Sequence, residues 1–261
     1  KINFINNKSQ DKELSEIKPI FIIGLPRSGS TLIESSMSAA QEKIVSLGET
    51  SIINAAILDQ LKDIIFEKKF EIENFNLQLN VKELRNHVLN IYENYFVINS
   101  KNLFFIDKSL ENFFNIDVIL KIFPKAKFIH SSRNIKDTVI AIYQSMLPEL
   151  PWTHSLSDIL AYTDSYIKIM SFFKKKYSDK ILTIDLENLT KKKEECTKSI
   201  FSFCGLKWSP EVLRFHEKKN LVIKTLSGTQ LRKKISKYNQ EKYKPYQRIL
   251  EDFKKDYTWL D

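Results

Sequence analysis

The chain has 261 residues, 43% of them apolar and 28% charged, a balance that suits one globular α/β unit and excludes an extended disordered chain. No apolar run approaches the ~20 residues that cross a bilayer, and the polar opening lacks a signal-peptide centre, so no membrane span, no targeting segment and a cytoplasmic location are expected. A formal net charge of +9 asks for an anionic partner, without choosing among nucleic acid, a membrane surface and a phosphorylated small molecule.

Residues 1–18 read as an N-terminal leader, and because the chain opens on Lys1 rather than Met it is expected to be a piece of a longer protein. The run PIFIIG at 19–24 ends at Gly24 and has the pattern of a buried parallel strand. A loop leads from it into a helix expected over 30–40. Helical periodicity over 52–66 and 81–97 makes 51–100 a helical insertion or cap. Three further apolar runs, 103–106, 127–130 and 180–184, read as strands of the same sheet. Helices are expected over 113–123, 137–146, 158–177 and 191–204, with a last one over 247–257. Strands alternating with helices predict an α/β fold, a P-loop-containing parallel β-sheet flanked by helices on both faces, in a single domain over 19–261.

Cys196 and Cys204 share one helical face without CxxC spacing and read as buried thiols. The four histidines show no H-x-x-x-H pairing, so no metal site is expected. The lysines between 218 and 255 read as a solvated face, with a ligand platform as the alternative. Arginine is scarce, six against thirty-five lysines, and two of the six fall in the segments that follow.

The first segment is GLPRSGST, from Gly24 to Thr31, between a strand and a helix. Gly24 and Gly29 have P-loop spacing and are two of only five glycines in the chain; backbone N–H groups at the helix start would face an anion. Ser30 stands where a nucleotide triphosphatase carries its lysine, while Arg27 offers a planar fork to phosphate or sulfate. The loop therefore suits an oxyanion other than a triphosphate; an ordinary Gly/Pro turn is the alternative. The second segment, FIHSSRNIKDT at 128–138, puts Arg133 at the carboxyl end of a strand, where parallel sheets gather ligands. Two adjacent anion sites suit a nucleotide with phosphates at both ends of its ribose.

These segments resemble the P-loop sulfotransferases over 19–246, and within them the domain found behind tetratricopeptide repeats in bacteria, related to tyrosylprotein sulfotransferases. Pro26, Arg27, Ser28, Gly29, Ser30 and Thr31 are similar to the family's 5′-phosphosulfate loop, and Arg133 to its 3′-phosphate motif. FIDKSLENF at 105–113 resembles the D-K-x-P-x-N-F segment and FCGLKW at 203–208 the F-x-G-L-x-W segment. TLSGTQLR at 225–232 resembles the late loop that closes over the nucleotide and brings in Ser227, Gln230 and Arg232. The resemblance implies 3′-phosphoadenosine 5′-phosphosulfate (PAPS) as donor and adenosine 3′,5′-bisphosphate (PAP) as product. It implies a hydroxyl acceptor (peptidyl tyrosine, a carbohydrate, or a small alcohol or phenol), with upstream repeats or a homodimer as associations; no nucleic acid is expected, because only the net charge suggests it and no aromatic-plus-basic pattern supports it. Two positions depart from the pattern. Ala141 replaces the serine expected eight residues after Arg133, so one phosphate hydrogen bond is missing or comes from elsewhere, such as Ser132 or Ser227. Ser109 or Leu110 replaces the proline of D-K-x-P.

Sulfuryl transfer builds charge on the oxygen that bridges sulfur and phosphorus, which calls for fixed cations; Arg27 and Lys108 are the candidates. Gly48-Glu49 resembles the segment that supplies the base in tyrosylprotein sulfotransferases, making Glu49 the expected base, with a helix-capping role as the alternative. His130 is the second candidate base, although its strand position favours packing against the sheet. The acceptor is expected between the Glu49 loop and PELPWTH at 148–154, where Trp152 either stacks on it or belongs to the core. No metal is required. Two rival readings are a P-loop kinase, opposed by Ser30, and a catalytically degenerate nucleotide-binding module, for which Ala141 is the one hint.

Overall fold

The computed structural model describes residues 17–40, 44–67, 79–96, 104–217, 238–239 and 241–261. The apolar runs become strands β1 (Lys18–Gly24), β3 (Phe104–Asp107), β4 (Lys127–Ser132) and β5 (Ile181–Asp185). A fifth strand, β2 (Val45–Ser46), was not expected from the pattern: two residues carry no periodicity of their own, and pairing with β3 alone defines them. The sheet is parallel throughout, in the order β2-β3-β1-β4-β5.

As the central strand, β1 is covered on both faces, which is why its sequence is a continuous apolar run instead of an alternating one. Phe21 and Ile23 face one side with Phe105 and Phe128, and Ile20 and Ile22 face the other with Ile106, Ile129 and Ile184. The second side is covered by α1 (Ser30–Ser38), α7 (Leu186–Lys191) and α8 (Lys193–Cys204). The first side is covered by α2 (Ile52–Phe66), α3 (Val81–Phe96), α4 (Ile116–Ile122), α5 (Ile135–Ser145) and α6 (Leu156–Lys176). The helices from the 51–100 stretch thus contribute to the main core: Leu61, Leu84, Val88 and Tyr92 are buried in it, Tyr92 against Phe105 at 4.8 Å between ring centroids.

Local chemistry sets the helix limits. Asn134 accepts a hydrogen bond from Asp137 N at 3.1 Å, which starts α5 two residues before the first position expected from periodicity. The helix expected over 191–204 is α8, which starts at Lys193, and a short helix not expected from the pattern precedes it: Asp185 caps α7 through Asn188 N, and Lys192 leaves the helical conformation before α8. The helix expected over 113–123 is likewise a 3₁₀ segment, Leu110–Asn115, followed by α4. The last expected helix is a 3₁₀ segment over Lys244–Phe253. Its three-residue repeat aligns Gln247, Leu250 and Phe253, which meet Asp137 and the core.

Cys204 is buried and Cys196 half-buried, both as free thiols, and burial pushes the Cys204 thiol up to about 12. Among the described residues no group of His, Cys, Asp and Glu could hold a metal ion, and no helix is long and apolar enough to cross a membrane.

Candidate active site

Register brings the carboxyl ends of the strands together. Gly24 lies opposite Ser131, and Ser132 opposite Asp185. A side chain at Gly24 would meet the Ser131 carbonyl oxygen at 2.5 Å, so glycine is what allows the loop after β1 to cross β4. Arg27 has φ 65, a left-handed conformation that costs a non-glycine residue about 1 kcal/mol and recurs at functional sites. Ser28 Oγ donates to Leu25 O at 2.7 Å, and Ser131 Oγ donates to Ser28 O at 3.0 Å, tying the loop to β4. Pro26 is half-buried, Ser30 and Thr31 are buried in the first turn of α1, and that helix opens on Gly29 with no side-chain cap. An uncapped helix start behind a glycine-bearing loop suits an oxyanion.

The second part of the site lies between α1 and β3. The Lys108 side chain is wholly buried, and its ammonium hydrogen-bonds the Glu49 carboxylate and lies 3.7 Å from Glu34. Glu34 is four residues beyond Ser30 on α1, accepts from Ser46 Oγ at 2.5 Å, and has its pKa raised by burial, against the opposing pull of Lys108 and Ser46. Sequence reasoning missed this residue. The available signal was its i+4 spacing from Ser30, which places a carboxylate one turn behind the loop.

Glu49 itself is exposed, on a turn fixed from below. Lys108 N donates to Gly48 O at 2.9 Å, and Ser109 Oγ accepts from Thr50 N at 3.0 Å and Ser51 N at 2.8 Å. Fully buried Asp107 accepts from Tyr92 OH at 2.7 Å, Ser109 N at 2.8 Å and Thr50 Oγ1 at 3.1 Å. One carboxylate thus fastens α3, the end of β3 and the Glu49 turn.

Arg133 follows β4. Its Nη1 donates to Arg27 O at 3.0 Å, its Nη2 to Tyr238 OH at 2.6 Å, and its guanidinium lies 4.6 Å from the Tyr238 ring centroid and 4.7 Å from that of Tyr243. Tyr238 OH in turn donates to Asp137. Arg133 therefore supports the Arg27 loop from behind as well as standing beside it. Ala141 is buried, packed in the core. Ser227, Gln230 and Arg232 lie outside the described residues.

His130 is buried, with Nδ1 3.1 Å from Thr183 Oγ1 and Nε2 hydrogen-bonded to Tyr166 OH. Burial, helped by the nearby Lys174 charge, pushes it down to about 3, so it is neutral and occupied at both nitrogens. Trp152 stacks on Tyr162 with ring centroids 3.8 Å apart and planes at 5°, packed against the core, and Tyr162 OH donates to Glu111 at 3.1 Å.

Known proteins share this fold. Residues 19–210 match the model of the Sulfotransferase family. A relative from Aquifex aeolicus (strain VF5), described as an uncharacterized protein, is 28% identical over 246 residues, covering 89% of this chain and 31% of its own length. The chain thus spans about a third of the curated relative it matches. The sulfotransferase domain of the Synechococcus PCC 7002 olefin synthase has the same fold, with TM-score 0.61, 18% identity, and coverage of 87% of this chain and 88% of that one. A Mycobacterium tuberculosis H37Rv sulfotransferase superposes with TM-score 0.51 at 12% identity, over 80% of this chain and 73% of that one. With its parallel sheet and the match over most of its length, the chain belongs to the sulfotransferase family.

Proposed function

We propose that the chain transfers a sulfuryl group from PAPS to a hydroxyl acceptor, releasing PAP and a sulfate ester. The observation that carries this reading is buried Lys108, brought from the end of β3 to the helix behind the oxyanion loop, in a loop whose own lysine position is Ser30. A triphosphate-cleaving loop would carry its cation in the loop and an acid for Mg²⁺. Here the cation comes from outside the loop, held beside it by Glu49 and Glu34, and in this reading it turns to the leaving phosphate.

In this reading the loop from Pro26 to Thr31 holds the 5′-phosphosulfate, Arg133 serves the 3′ end, and Ser227, Gln230 and Arg232 are further nucleotide-binding residues. Glu49 takes the acceptor proton as the acceptor oxygen bonds to sulfur. The bond from sulfur to the bridging oxygen breaks, its electron pair stays on the leaving phosphate, and Lys108 and Arg27 stabilise that charge. For Lys108 to do so, its ammonium must shift from Glu49 toward the donor, which frees the carboxylate when a base is needed. Peptidyl tyrosine, carbohydrates and small phenols are the acceptor classes, and a tetratricopeptide-linked setting in the cytoplasm belongs to the same reading.

Titration with PAP and ATP tests the donor class: tighter binding of PAP supports it, and preference for ATP selects a kinase. Sulfuryl transfer from PAPS to a phenol panel then separates an enzyme from a binding module.

A further inference from the structure

Below Arg133, on the α6 side of β4, is a cavity of about 310 Å³. Ser132, Arg133, Ser171 and Lys174 stand at its mouth, and buried His130, Tyr166 and Met170 lie deeper, with Leu25 and Ser28 of the oxyanion loop forming one wall. Among the described residues no carboxylate lines it. Two cations therefore share a partly enclosed space whose described lining holds no carboxylate.

Lys174 is the unexplained member. Along α6, Lys168 pairs with Asp164 at 2.6 Å and Lys176 with Asp117 at 2.9 Å, whereas half-buried Lys174 has no hydrogen bond or ion pair to any described residue. Burial lowers its pKa, the sign of an ammonium losing water without gaining a counter-charge. His130 offers none, being neutral and held by Thr183 and Tyr166. A cation in that position is costly until an anion joins it, and then contributes a charge-assisted hydrogen bond.

The direction from which an anion arrives is fixed by the wall. Ser28 on the loop after β1 and Ser131 on β4, 3.0 Å apart at their hydroxyls, both line the cavity, so the loop borders it directly. A ligand seated on that loop thus has the cavity mouth beside it, on the Arg133 side. The α5 hydroxyl that lines the cavity, Thr138 Oγ1, donates to Asn134 O at 2.8 Å, while Ser171 and Lys174 face the same space from α6.

We propose that Lys174 and Ser171 of α6 form, with Arg133, a subsite for the phosphate monoester at the 3′ end of the donor nucleotide. This rests on the PAPS reading above, and it assigns to α6 a recognition role that the loop and Arg133 do not cover.

Calorimetric titration of PAP and of adenosine 5′-phosphate, which lacks the 3′ group, into wild type, Lys174→Met, Lys174→Arg and Lys175→Met tests it. Lys174→Met should weaken PAP about 10- to 100-fold, the worth of one charge-assisted hydrogen bond, and leave the monophosphate within about twofold. Lys174→Arg should retain most of the PAP affinity. Lys175→Met removes the same charge from an exposed position of the helix and should change neither nucleotide, and nucleotide-free Lys174→Met should melt no lower than wild type. If wild type prefers PAP and Lys174→Met keeps that preference in full, or loses both nucleotides alike, the subsite is wrong while the donor reading stands. If wild type binds the two equally, the donor reading falls and the subsite with it.

Discussion

Lys108 Nζ lies 3.7 Å from the Glu34 carboxylate, with the lysine side chain wholly buried and the glutamate side chain 12% exposed. Burial raises the Glu34 pKa above its ordinary 4.5 despite that lysine. Just above pH 4.5, the folded state keeps a proton that the unfolded chain releases, so Glu34 makes stability fall as pH rises through that window. Glu34→Gln removes this contribution. The melting temperature of Glu34→Gln minus that of wild type should therefore increase as pH rises from about 4.5; a flat or falling difference would show that Glu34 is not held in its protonated form by burial.

Asp107 sets the second expectation. It is fully buried and accepts from Tyr92, Ser109 and Thr50, so Asp107→Ala leaves several buried donors unmatched. The expected loss is about 3 kcal/mol in denaturant unfolding, against about 1 kcal/mol for Tyr92→Phe, which removes one donor and keeps the ring. Because Thr50 and Ser109 hold the Glu49 turn, Asp107→Ala should also lower turnover in the fraction that remains folded. Equal costs for the two variants would mean the carboxylate is not the fastening point.

The sequence made legible whatever is written in contiguous residues. PIFIIG, the Gly24-to-Thr31 loop, and Arg133 at a strand end each carry their context with them, and they stand together in the fold. What stayed hidden depends on distant partners. Val45 and Ser46 become a strand only against β3. Glu34 looks like any polar position of an amphipathic helix until Lys108 arrives from seventy-four residues further on. Lys174 is one of three consecutive lysines, and only the burial of its side of α6 against the cavity distinguishes it from Lys175. Asp107, too, reads as part of a motif with Lys108, whereas its contacts are those of a structural hub.

Arg27 and Arg133 are coupled through a backbone carbonyl, which shapes the third expectation. Arg27→Ala should abolish turnover and weaken PAPS more than it harms folding. Since Arg27 has φ 65, Arg27→Gly should be equally inactive and more stable than Arg27→Ala by about 1 kcal/mol. Arg133→Ala should weaken PAPS strongly and adenosine 5′-phosphosulfate, which has no 3′-phosphate, less but measurably, because the Arg27 loop loses its support. Equal weakening of both donors would leave Arg133 as a loop brace alone.

The last expectation separates Glu49 from Lys108, which hydrogen-bond each other and are assigned opposite ends of the reaction. If Glu49 takes the acceptor proton, Glu49→Gln should lower kcat about 10²–10⁴-fold with nucleotide affinity nearly unchanged. If Lys108 stabilises the leaving oxygen, Lys108→Ala should slow the chemical step about 10²–10³-fold. Removing Lys108 also unpairs buried Glu34, so its effect must be read on protein shown to be folded, and the double variant Glu34→Gln/Lys108→Met, which removes both charges, serves as the second probe. The two losses should differ in their dependence on the acceptor. A more acidic phenol needs less help from a base, while the leaving phosphate of the donor needs the same help. Glu49→Gln should therefore be partly rescued along a phenol series of falling pKa, while the Lys108 variants stay a constant factor below wild type. A Glu49→Gln rate that remains proportional to wild type across the series would remove Glu49 as the base and turn attention to the buried carboxyl of Glu34 on the other side of the same lysine.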